Sequence, residues 1–240
     1  MGRKSGTSTA ARVTPAVSLE EVEKSYGDSV VISCDSLEVL PGEAVVLVGH
    51  NGSGKSTLLS MVAGVLDPSS GAIRVHGEPP DSLDSRRRRA WLPDTPVLYD
   101  DVSVQEHLQY TARLHGADPD GARIDELLER LGLSERRDDL PSRFSRGLRQ
   151  KTAIAVALCR PSTVLLVDEP FVGLDAAGRV AFLELLDEAR VAGCTLLVAT
   201  HDPAVVDRFD RALVLDDGRI VHDGAPSELD GLVADPHRSA

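Results

Sequence analysis

Short apolar runs alternate along the chain with amphipathic stretches, and the two kinds of segment differ in their period. Continuous or alternating apolar runs occupy the N-terminal and C-terminal parts of the chain, whereas the middle shows apolar residues spaced three and four apart. Strands interleaved with helices are typical of an α/β domain with a largely parallel sheet. The predicted strands are residues 17–22, 30–39, 44–48, 164–167, 195–200 and 212–215, and the predicted helices of the middle region are residues 104–115, 124–131 and 148–158.

Two dipeptides and one long helical region set the predicted organisation. Pro41-Gly42 predicts a turn, and Asp217-Gly218 predicts a hairpin near the end of the chain. Because no strand-like run interrupts residues 102–158, we predict that these helices form a subdomain inserted into the α/β core. The first residues are small, polar and basic, which favours a flexible leader over a secretory signal. The predicted boundaries are residues 1–14 for the leader, 15–240 for a single domain, 15–94 and 160–240 for its catalytic core, and about 95–159 for its helical subdomain.

Composition and charge limit the classes of function. The chain carries 38 acidic and 26 basic side chains, for a net charge of −12. This balance argues against non-specific binding of nucleic acid, which depends on clustered Lys and Arg. The longest apolar runs are far shorter than the roughly 20 residues that a bilayer crossing needs, so we expect no membrane span. The four arginines at 86–89 follow Asp81 and Asp84 and favour a solvated, partly ion-paired segment over a lipid or nucleic acid site.

A phosphate-binding loop is predicted after the third strand. Residues 49–56 read GHNGSGKS, which matches the pattern G-x-x-x-x-G-K-[ST] between an apolar strand and a helix. In this context backbone N–H groups turn inward around phosphate oxygens at the positive end of the helix. We expect Lys55 to reach the terminal phosphates and the Ser56 hydroxyl to bind Mg²⁺, whereas the His50 side chain faces outward. The predicted nucleotide-binding residues here are Gly49, His50, Asn51, Gly52, Ser53, Gly54, Lys55, Ser56 and Thr57.

Two later strands end in residues that suit phosphate chemistry. The apolar run 164–167 leads into Asp168 and Glu169, and adjacent side chains at a strand end point in different directions. We therefore predict that Asp168 binds Mg²⁺ through water and that Glu169 orients a water molecule. A solvated strand terminus is the alternative, and the apolar strand before the two acids weighs against it. His201 follows another apolar strand, and ligands of open α/β sheets bind at this edge.

Taken in order, these motifs resemble the ATP-binding cassette of ABC transporters, and the resemblance covers residues 17–229. Residues 144–151 read FSRGLRQK, which is similar to the family signature LSGGQ. Gly173-Leu-Asp175 resembles the D-loop, and Thr200-His201-Asp202 resembles the segment of the switch histidine. The resemblance implies a P-loop NTPase core with a mostly parallel sheet, N-terminal antiparallel strands and an inserted helical subdomain.

The resemblance also implies roles for individual residues. Tyr26 would stack on adenine, although an ordinary strand-edge tyrosine is the alternative reading. Glu169 would polarise the attacking water, with Lys55 and His201 as the other catalytic residues. Asp175 would lie at the seam between two cassettes that close head-to-tail around two nucleotides. The signature residues that would reach the nucleotide of the opposite protomer are Ser145, Arg146, Gly147 and Leu148, of which Ser145 also suits the N-cap of a helix.

Two positions depart from the family pattern. Asp94 stands where the family commonly has the glutamine of the Q-loop, and Arg146 replaces the first signature glycine. Both variants resemble those in cassettes of exporters whose membrane subunits are separate chains. Because a carboxylate can hold Mg²⁺ but cannot donate a hydrogen bond, we hypothesise that Asp94 keeps a metal contact beside Ser56 and Asp168. Asp94 would then couple hydrolysis to the partner.

The sequence thus predicts an ATP hydrolase, the ATP-binding subunit of an ABC transporter, which uses ATP and Mg²⁺. It would dimerise with a second ABC ATPase subunit, for which a homodimer is favoured and a heterodimer is the alternative. The dimer would drive a separate polytopic membrane subunit docked near Asp94 and the helical subdomain, in the direction of export. We expect a cytoplasmic protein, peripheral on the inner face of the cell membrane, with no nucleic acid partner.

A non-transport ABC ATPase acting on ribosomes or DNA is the alternative, which the single cassette and the lack of heptads or a basic face disfavour. A regulator without turnover is disfavoured by the presence of Lys55, Asp168, Glu169 and His201.

Overall fold

The structure is a computed structural model that describes residues 13–229 of the 240-residue chain. The predicted leader, residues 1–14, therefore lies almost wholly outside the described residues, as does the end of the predicted domain after residue 229. The described strands are β1 (Val17–Tyr26), β2 (Ser29–Val39), β3 (Ala44–Val48), β4 (Ser70–Val75), β5 (Arg89–Leu92), β6 (Val164–Asp168), β7 (Thr195–Ala199), β8 (Arg211–Asp216) and β9 (Arg219–Gly224). The described α-helices are α1 (Lys55–Val62), α2 (Leu83–Arg88), α3 (Val104–Leu114), α4 (Ala122–Arg130), α5 (Arg146–Leu158), α6 (Ala176–Val191) and α7 (Pro203–Val206).

The central sheet has six strands in the order β5-β6-β7-β3-β8-β9. All neighbours are parallel except β8 and β9, which form the hairpin predicted from Asp217-Gly218. Strands β3, β6 and β7 are buried along their whole length, which explains why their sequences are continuous apolar runs rather than alternating ones. Parallel pairing brings the carboxyl ends of these three strands to one edge of the sheet.

A second sheet of three antiparallel strands, in the order β2-β1-β4, covers one face of the central sheet. Alternate residues of β3 point to opposite faces, so Val45 and Leu47 pack with α1 and the antiparallel sheet. Val46 and Val48 belong to the other apolar cluster, which includes residues of α3, α4, α5 and α6. The predicted fold class, a P-loop core with N-terminal antiparallel strands, is confirmed.

Helices α3, α4 and α5 lie between β5 and β6. Helix α3 begins with a capping box, in which the Ser103 hydroxyl accepts from the Glu106 amide and the Glu106 carboxylate accepts from the Ser103 amide. Leu108, Leu127 and Ile154, one from each helix, are fully buried, so the three helices share a core. Within residues 13–229 no helix combines the length and the hydropathy that a bilayer crossing requires.

The arginine run differs from the sequence prediction at one position. Arg89 is buried rather than solvated, because it is the first residue of β5 and its guanidinium donates to the Pro80 carbonyl. Burial and the charges of Arg86 and Arg160 lower the pKa of Arg89 to about 10. Arg160 donates to the carbonyls of Arg86 and Arg87, so it holds the end of α2. The exposed part of the run is therefore residues 86–88, the last three residues of α2.

Candidate functional site

Residues from three neighbouring strands meet at the carboxyl edge of the central sheet. The phosphate loop follows β3, Asp168 is the last residue of β6, and His201 comes two residues after β7. The Glu169 amide donates to the Ala199 carbonyl at 2.9 Å, which joins the segments that leave β6 and β7. The sequence prediction that these residues share one edge agrees with the strand order β6-β7-β3.

The phosphate loop has the backbone that its glycines allow. Gly54 caps α1 with a φ of 105°, a conformation that side chains other than glycine rarely adopt. A Cβ atom on Gly49 would lie 2.3 Å from the Leu215 carbonyl oxygen, so glycine is required there by close approach. Lys55 is buried, and its ammonium donates to the carbonyls of Gly49 (2.8 Å) and His50 (3.2 Å). The lysine side chain thus lies across the loop that is predicted to hold the phosphates it contacts.

Asp168 fits the oxygen ligand set that Mg²⁺ prefers. Its Oδ1 atom is buried without a hydrogen-bond partner, a costly state that a bound cation would relieve. Burial raises the pKa of Asp168, and the charges of Glu169 and Asp94 raise it further, whereas the Ser56 hydroxyl and Lys55 lower it. The residues predicted as metal ligands therefore influence one another across one small site.

Glu169 stands between a lysine and a histidine. Its Oε2 atom lies 2.9 Å from His201 Nδ1, and its Oε1 atom lies 3.9 Å from the Lys55 ammonium. Its φ is 44°, so the backbone turns sharply after Asp168 and sends the two acidic side chains in different directions. The carboxylate is thereby fixed at the mouth of the phosphate loop, where it can accept a proton from water.

The predicted signature residues form the N-terminus of α5. The Ser145 hydroxyl accepts from the Leu148 amide at 3.3 Å, so Ser145 is the N-cap that its sequence position predicts. A Cβ atom on Gly147 would lie 2.5 Å from the Gly173 carbonyl oxygen, so the signature turn packs directly on the D-loop segment. Arg146 Nη2 lies 3.8 Å from Asp94 Oδ1, which brings the two departures from the family pattern together.

Three other predicted residues lie elsewhere around the site. Tyr26 ends β1 with 56% of its surface exposed, and the Lys24 ammonium lies 5.1 Å from its ring centroid. His50 faces outward, as predicted, with its Nε2 atom 3.2 Å from Asp216 Oδ1. Asp175 caps α6 by accepting from the Gly178 amide at 2.8 Å, and this hydrogen bond and the Lys151 ammonium lower the pKa of Asp175.

Sequence reasoning missed two residues that connect the signature helix to the D-loop segment. The Gln150 side chain is buried and donates to the Pro170 carbonyl at 3.1 Å. The Lys151 ammonium lies 3.0 Å from Asp175 Oδ2. Both residues are within the segment FSRGLRQK, so their polarity directly after the signature turn was the available signal.

The site combines a glycine-rich loop between a buried strand and a helix, a buried lysine that lies across this loop, and an acid pair at the end of a strand of the same sheet. Together these features define a P-loop nucleotide hydrolase. The model of one family within this class, the ABC transporter family, matches residues 33–172. The chain belongs to the ABC transporter family.

Several known proteins that are similar to the chain are named as ATP-binding proteins of transporters or as ATP-binding cassettes. The chain is 33% identical over 218 residues to the ABC-type transporter ATP-binding protein EcsA of Bacillus subtilis, an alignment that covers 89% of this chain and 88% of EcsA. It is 36% identical to the Nod factor export ATP-binding protein I of Burkholderia thailandensis, covering 89% and 72% of the two chains. A solved dimeric ATP-binding cassette in a post-hydrolysis state, bound to ADP and Pi, superposes with a TM-score of 0.79 at 25% identity, covering 88% and 98%. The chain is an ATP-binding subunit of an ABC transporter and an ATP hydrolase.

Proposed function

We propose that the chain binds MgATP at the edge formed by β3, β6 and β7, pairs with a second copy of itself, and drives a separate polytopic membrane subunit in the direction of export. The observation that carries this proposal is the position of Glu169 between Lys55 (3.9 Å) and His201 (2.9 Å), next to the buried Asp168. The export direction is supported by the similarity to the Nod factor export protein.

Ser56, Asp168 and Asp94 are the residues that would hold Mg²⁺. Their oxygen atoms are the hard ligands that this ion selects, and the unpartnered Oδ1 of Asp168 supplies the buried negative charge. When bound, Mg²⁺ would neutralise charge on the terminal phosphate oxygens. The backbone N–H groups of residues 49–56 would bind the phosphates, and Lys55 would exchange its loop carbonyls for phosphate oxygens.

Glu169 would act on the attacking water. Its carboxylate would accept a proton from this water while the water oxygen attacks the γ-phosphorus. The bond between the γ-phosphorus and the ADP oxygen then breaks. His201 holds the carboxylate through Nδ1, so it fixes the angle from which the water approaches. A base held in this way lowers the entropy cost of reaching the reactive geometry.

The signature turn would act on the nucleotide of the second copy. The N-terminus of α5 offers free N–H groups and the positive end of a helix dipole to the γ-phosphate. Asp175 would lie at the seam, where its contact with Lys151 ties the D-loop segment to the signature helix. Hydrolysis removes the bridging phosphate and would let the two copies separate. Tyr26 would stack on the adenine, since more than half of its surface is exposed.

The membrane subunit would dock on the segment after Asp94 and on α3. Four side chains there expose large apolar surfaces to solvent: Val97 (88%), Tyr99 (61%), Tyr110 (54%) and Leu114 (66%). The buried His107 accepts from the Tyr99 amide at 2.9 Å, so the segment is held on α3. Tyr99 and Tyr110 also line a groove of about 510 Å³, together with Asp101, Val102, Glu106, His107, Gln109 and Arg113. Such docking would hold the chain on the inner face of the cell membrane.

Co-purification tests the transporter assignment, and substitution tests the docking face. The tagged chain, isolated from gently solubilised membranes with Mg²⁺ and ATP, should carry a stoichiometric polytopic protein that stimulates its ATPase activity. Tyr110→Glu should abolish that stimulation and leave basal activity intact, whereas Val191→Glu, on an exposed position of α6 outside the groove, should change neither. Recovery with ribosomes or DNA would contradict the proposal and favour the non-transport alternative.

A further inference from the structure

Asp94 and Arg146 form an ion pair that joins the segment after β5 to the start of α5. Asp94 follows β5 of the central sheet, and Arg146 is the first residue of α5. Arg146 Nη2 and Asp94 Oδ1 are 3.8 Å apart, and both side chains are partly exposed (63% and 45%). The contact therefore crosses from the segment after the sheet to the signature turn within one chain.

The Arg146 side chain also contacts Gly173 on its way to Asp94. A Cβ atom on Gly173 would lie 3.2 Å from Arg146 Cγ and 3.4 Å from its Cδ. The arginine stem thus lies over the D-loop backbone, where glycine, with a φ of 84°, leaves room for it. The guanidinium at the end of that stem then reaches Asp94.

The charges around the site explain why Asp94 takes this partner. Asp94, Asp168 and Glu169 place three carboxylates near one another, and the charge of Asp94 contributes to the raised pKa of Asp168. Lys55 is engaged with the loop carbonyls and lies beside Glu169. Arg146 supplies a positive charge on the Asp94 side of this cluster, which reduces the repulsion between the carboxylates.

We propose that Arg146 is a positioning residue that competes with the metal–nucleotide complex for Asp94. When no nucleotide is bound, Asp94 would pair with Arg146, and this pair would restrain the signature turn. The Mg²⁺ ion of a bound MgATP or MgADP would place positive charge beside Asp168, and Asp94 would then leave Arg146 for this ion. The released signature turn is then free to receive the phosphate of the second copy. This proposal rests on the proposed Mg²⁺-nucleotide site.

The test is a binding measurement on the isolated chain with a fluorescent ADP analogue, with Mg²⁺ and again with EDTA. Since an exposed ion pair is worth little, Arg146→Ala should tighten the Mg²⁺-dependent binding of the analogue by about two- to fivefold. Its affinity in EDTA should not change. Arg146→Lys, which keeps the charge, should stay close to the wild-type affinity. In an Asp94→Asn background, Arg146→Ala should have no further effect.

Arg149 offers a matched control. It lies on the same helix, and its Nη1 atom is 3.7 Å from Asp100 Oδ1, so it links the same two parts of the chain away from Asp94. Arg149→Ala should leave the Mg²⁺-dependent affinity unchanged. Equal or weaker binding by Arg146→Ala, or an effect that persists with Asp94→Asn, overturns the competition. Failure of the wild-type chain to bind the analogue at all would instead contradict the proposed function.

Discussion

The carboxylate of Glu169 and the imidazole of His201 meet at 2.9 Å although the two residues are 32 positions apart in the chain. Glu169 follows β6 and His201 follows β7, so the parallel pairing of these strands sets the distance between the two side chains. The His201 amide lies 3.4 Å from the same Oε2 atom, which adds a backbone contact to the side-chain one. The sheet, rather than either loop alone, holds the carboxylate in place.

Glu169→Gln should therefore abolish hydrolysis and retain nucleotide binding. The amide is nearly the same size and keeps a carbonyl oxygen for His201, but it cannot accept a proton from water. We expect kcat to fall by about 10²- to 10⁴-fold, with a change of no more than about twofold in the affinity for ATP. Phosphate release and equilibrium binding measure the two quantities. An ATPase activity within tenfold of wild type would show that another group is the base.

Lys55→Met should weaken nucleotide binding itself. The substitution removes the ammonium that faces the Gly49 and His50 carbonyls and keeps the length of the apolar stem. A charge-assisted hydrogen bond is worth about 1.5–3 kcal/mol, so the dissociation constant for ATP should rise by roughly 10- to 150-fold. Titration calorimetry measures it. Arg87→Met, at an exposed arginine of α2, serves as the control for the loss of one positive charge and should have an effect below about threefold.

Asp168→Asn should stabilise the nucleotide-free chain at neutral pH. Burial is the main cause of the raised pKa of Asp168, so the folded chain binds that proton more tightly than the unfolded chain does. The free energy of unfolding consequently falls as pH rises from below the unfolded pKa to above the folded one. The amide carries no such charge, so the gain should be greatest near pH 7 and should shrink in acid.

Thermal denaturation followed by circular dichroism measures this gain. We expect an increase of about 2–4 °C in Tm at pH 7 for each 1 kcal/mol that the neutral side chain recovers. MgADP should then raise the Tm of the variant less than that of the wild type, because a metal ligand is gone. Asp138→Asn, at an exposed position, should leave the Tm nearly unchanged. A lower Tm for Asp168→Asn at pH 7 would mean that the carboxylate charge stabilises the fold.

The sequence predicts the parts of the site that depend on local pattern. The phosphate loop, the acid pair of β6 and the cap at Ser145 are each defined within about eight residues, where spacing and residue type suffice. The pairing of Arg146 with Asp94 joins residues 52 positions apart in number, and it depends on how α5 lies against the segment after β5. No local pattern contains that information.

The fold shows the same division. The continuous apolar runs of β3, β6 and β7 suffice to predict these strands, whereas β4 and β5 were not predicted. Strand β5 has four residues and begins with Arg89, the last member of an arginine run that indicates solvent exposure. It becomes a strand because its backbone pairs with β6, and its arginine is buried because the Pro80 carbonyl receives the guanidinium. Tertiary contacts override the local preference in both respects.

The signature turn yields the last prediction, because Gly147 packs against the D-loop segment without room for a side chain. A Cβ atom in Gly147→Ala would meet the Gly173 carbonyl oxygen at 2.5 Å, and neither atom can rotate away, because the oxygen belongs to the backbone and the backbone fixes the position of the Cβ atom. The turn must therefore shift from Gly173, at a cost of about 1–3 kcal/mol in the free energy of unfolding. Urea denaturation measures that cost.

Gly121→Ala provides the comparison, since Gly121 likewise lies at the start of a helix, as the N-cap of α4, but an added Cβ atom there meets the Asp118 side chain at 3.2 Å rather than backbone. Its effect should stay below about 1 kcal/mol. Because the displaced turn carries Ser145, Gly147→Ala should also reduce ATP-induced dimerisation in the non-hydrolysing Glu169→Gln background, as followed by size-exclusion chromatography. The affinity of the monomer for ADP should be unchanged, since residues 49–56 are untouched. Normal stability together with normal dimerisation would show that the contact between Gly147 and Gly173 does not position the signature turn.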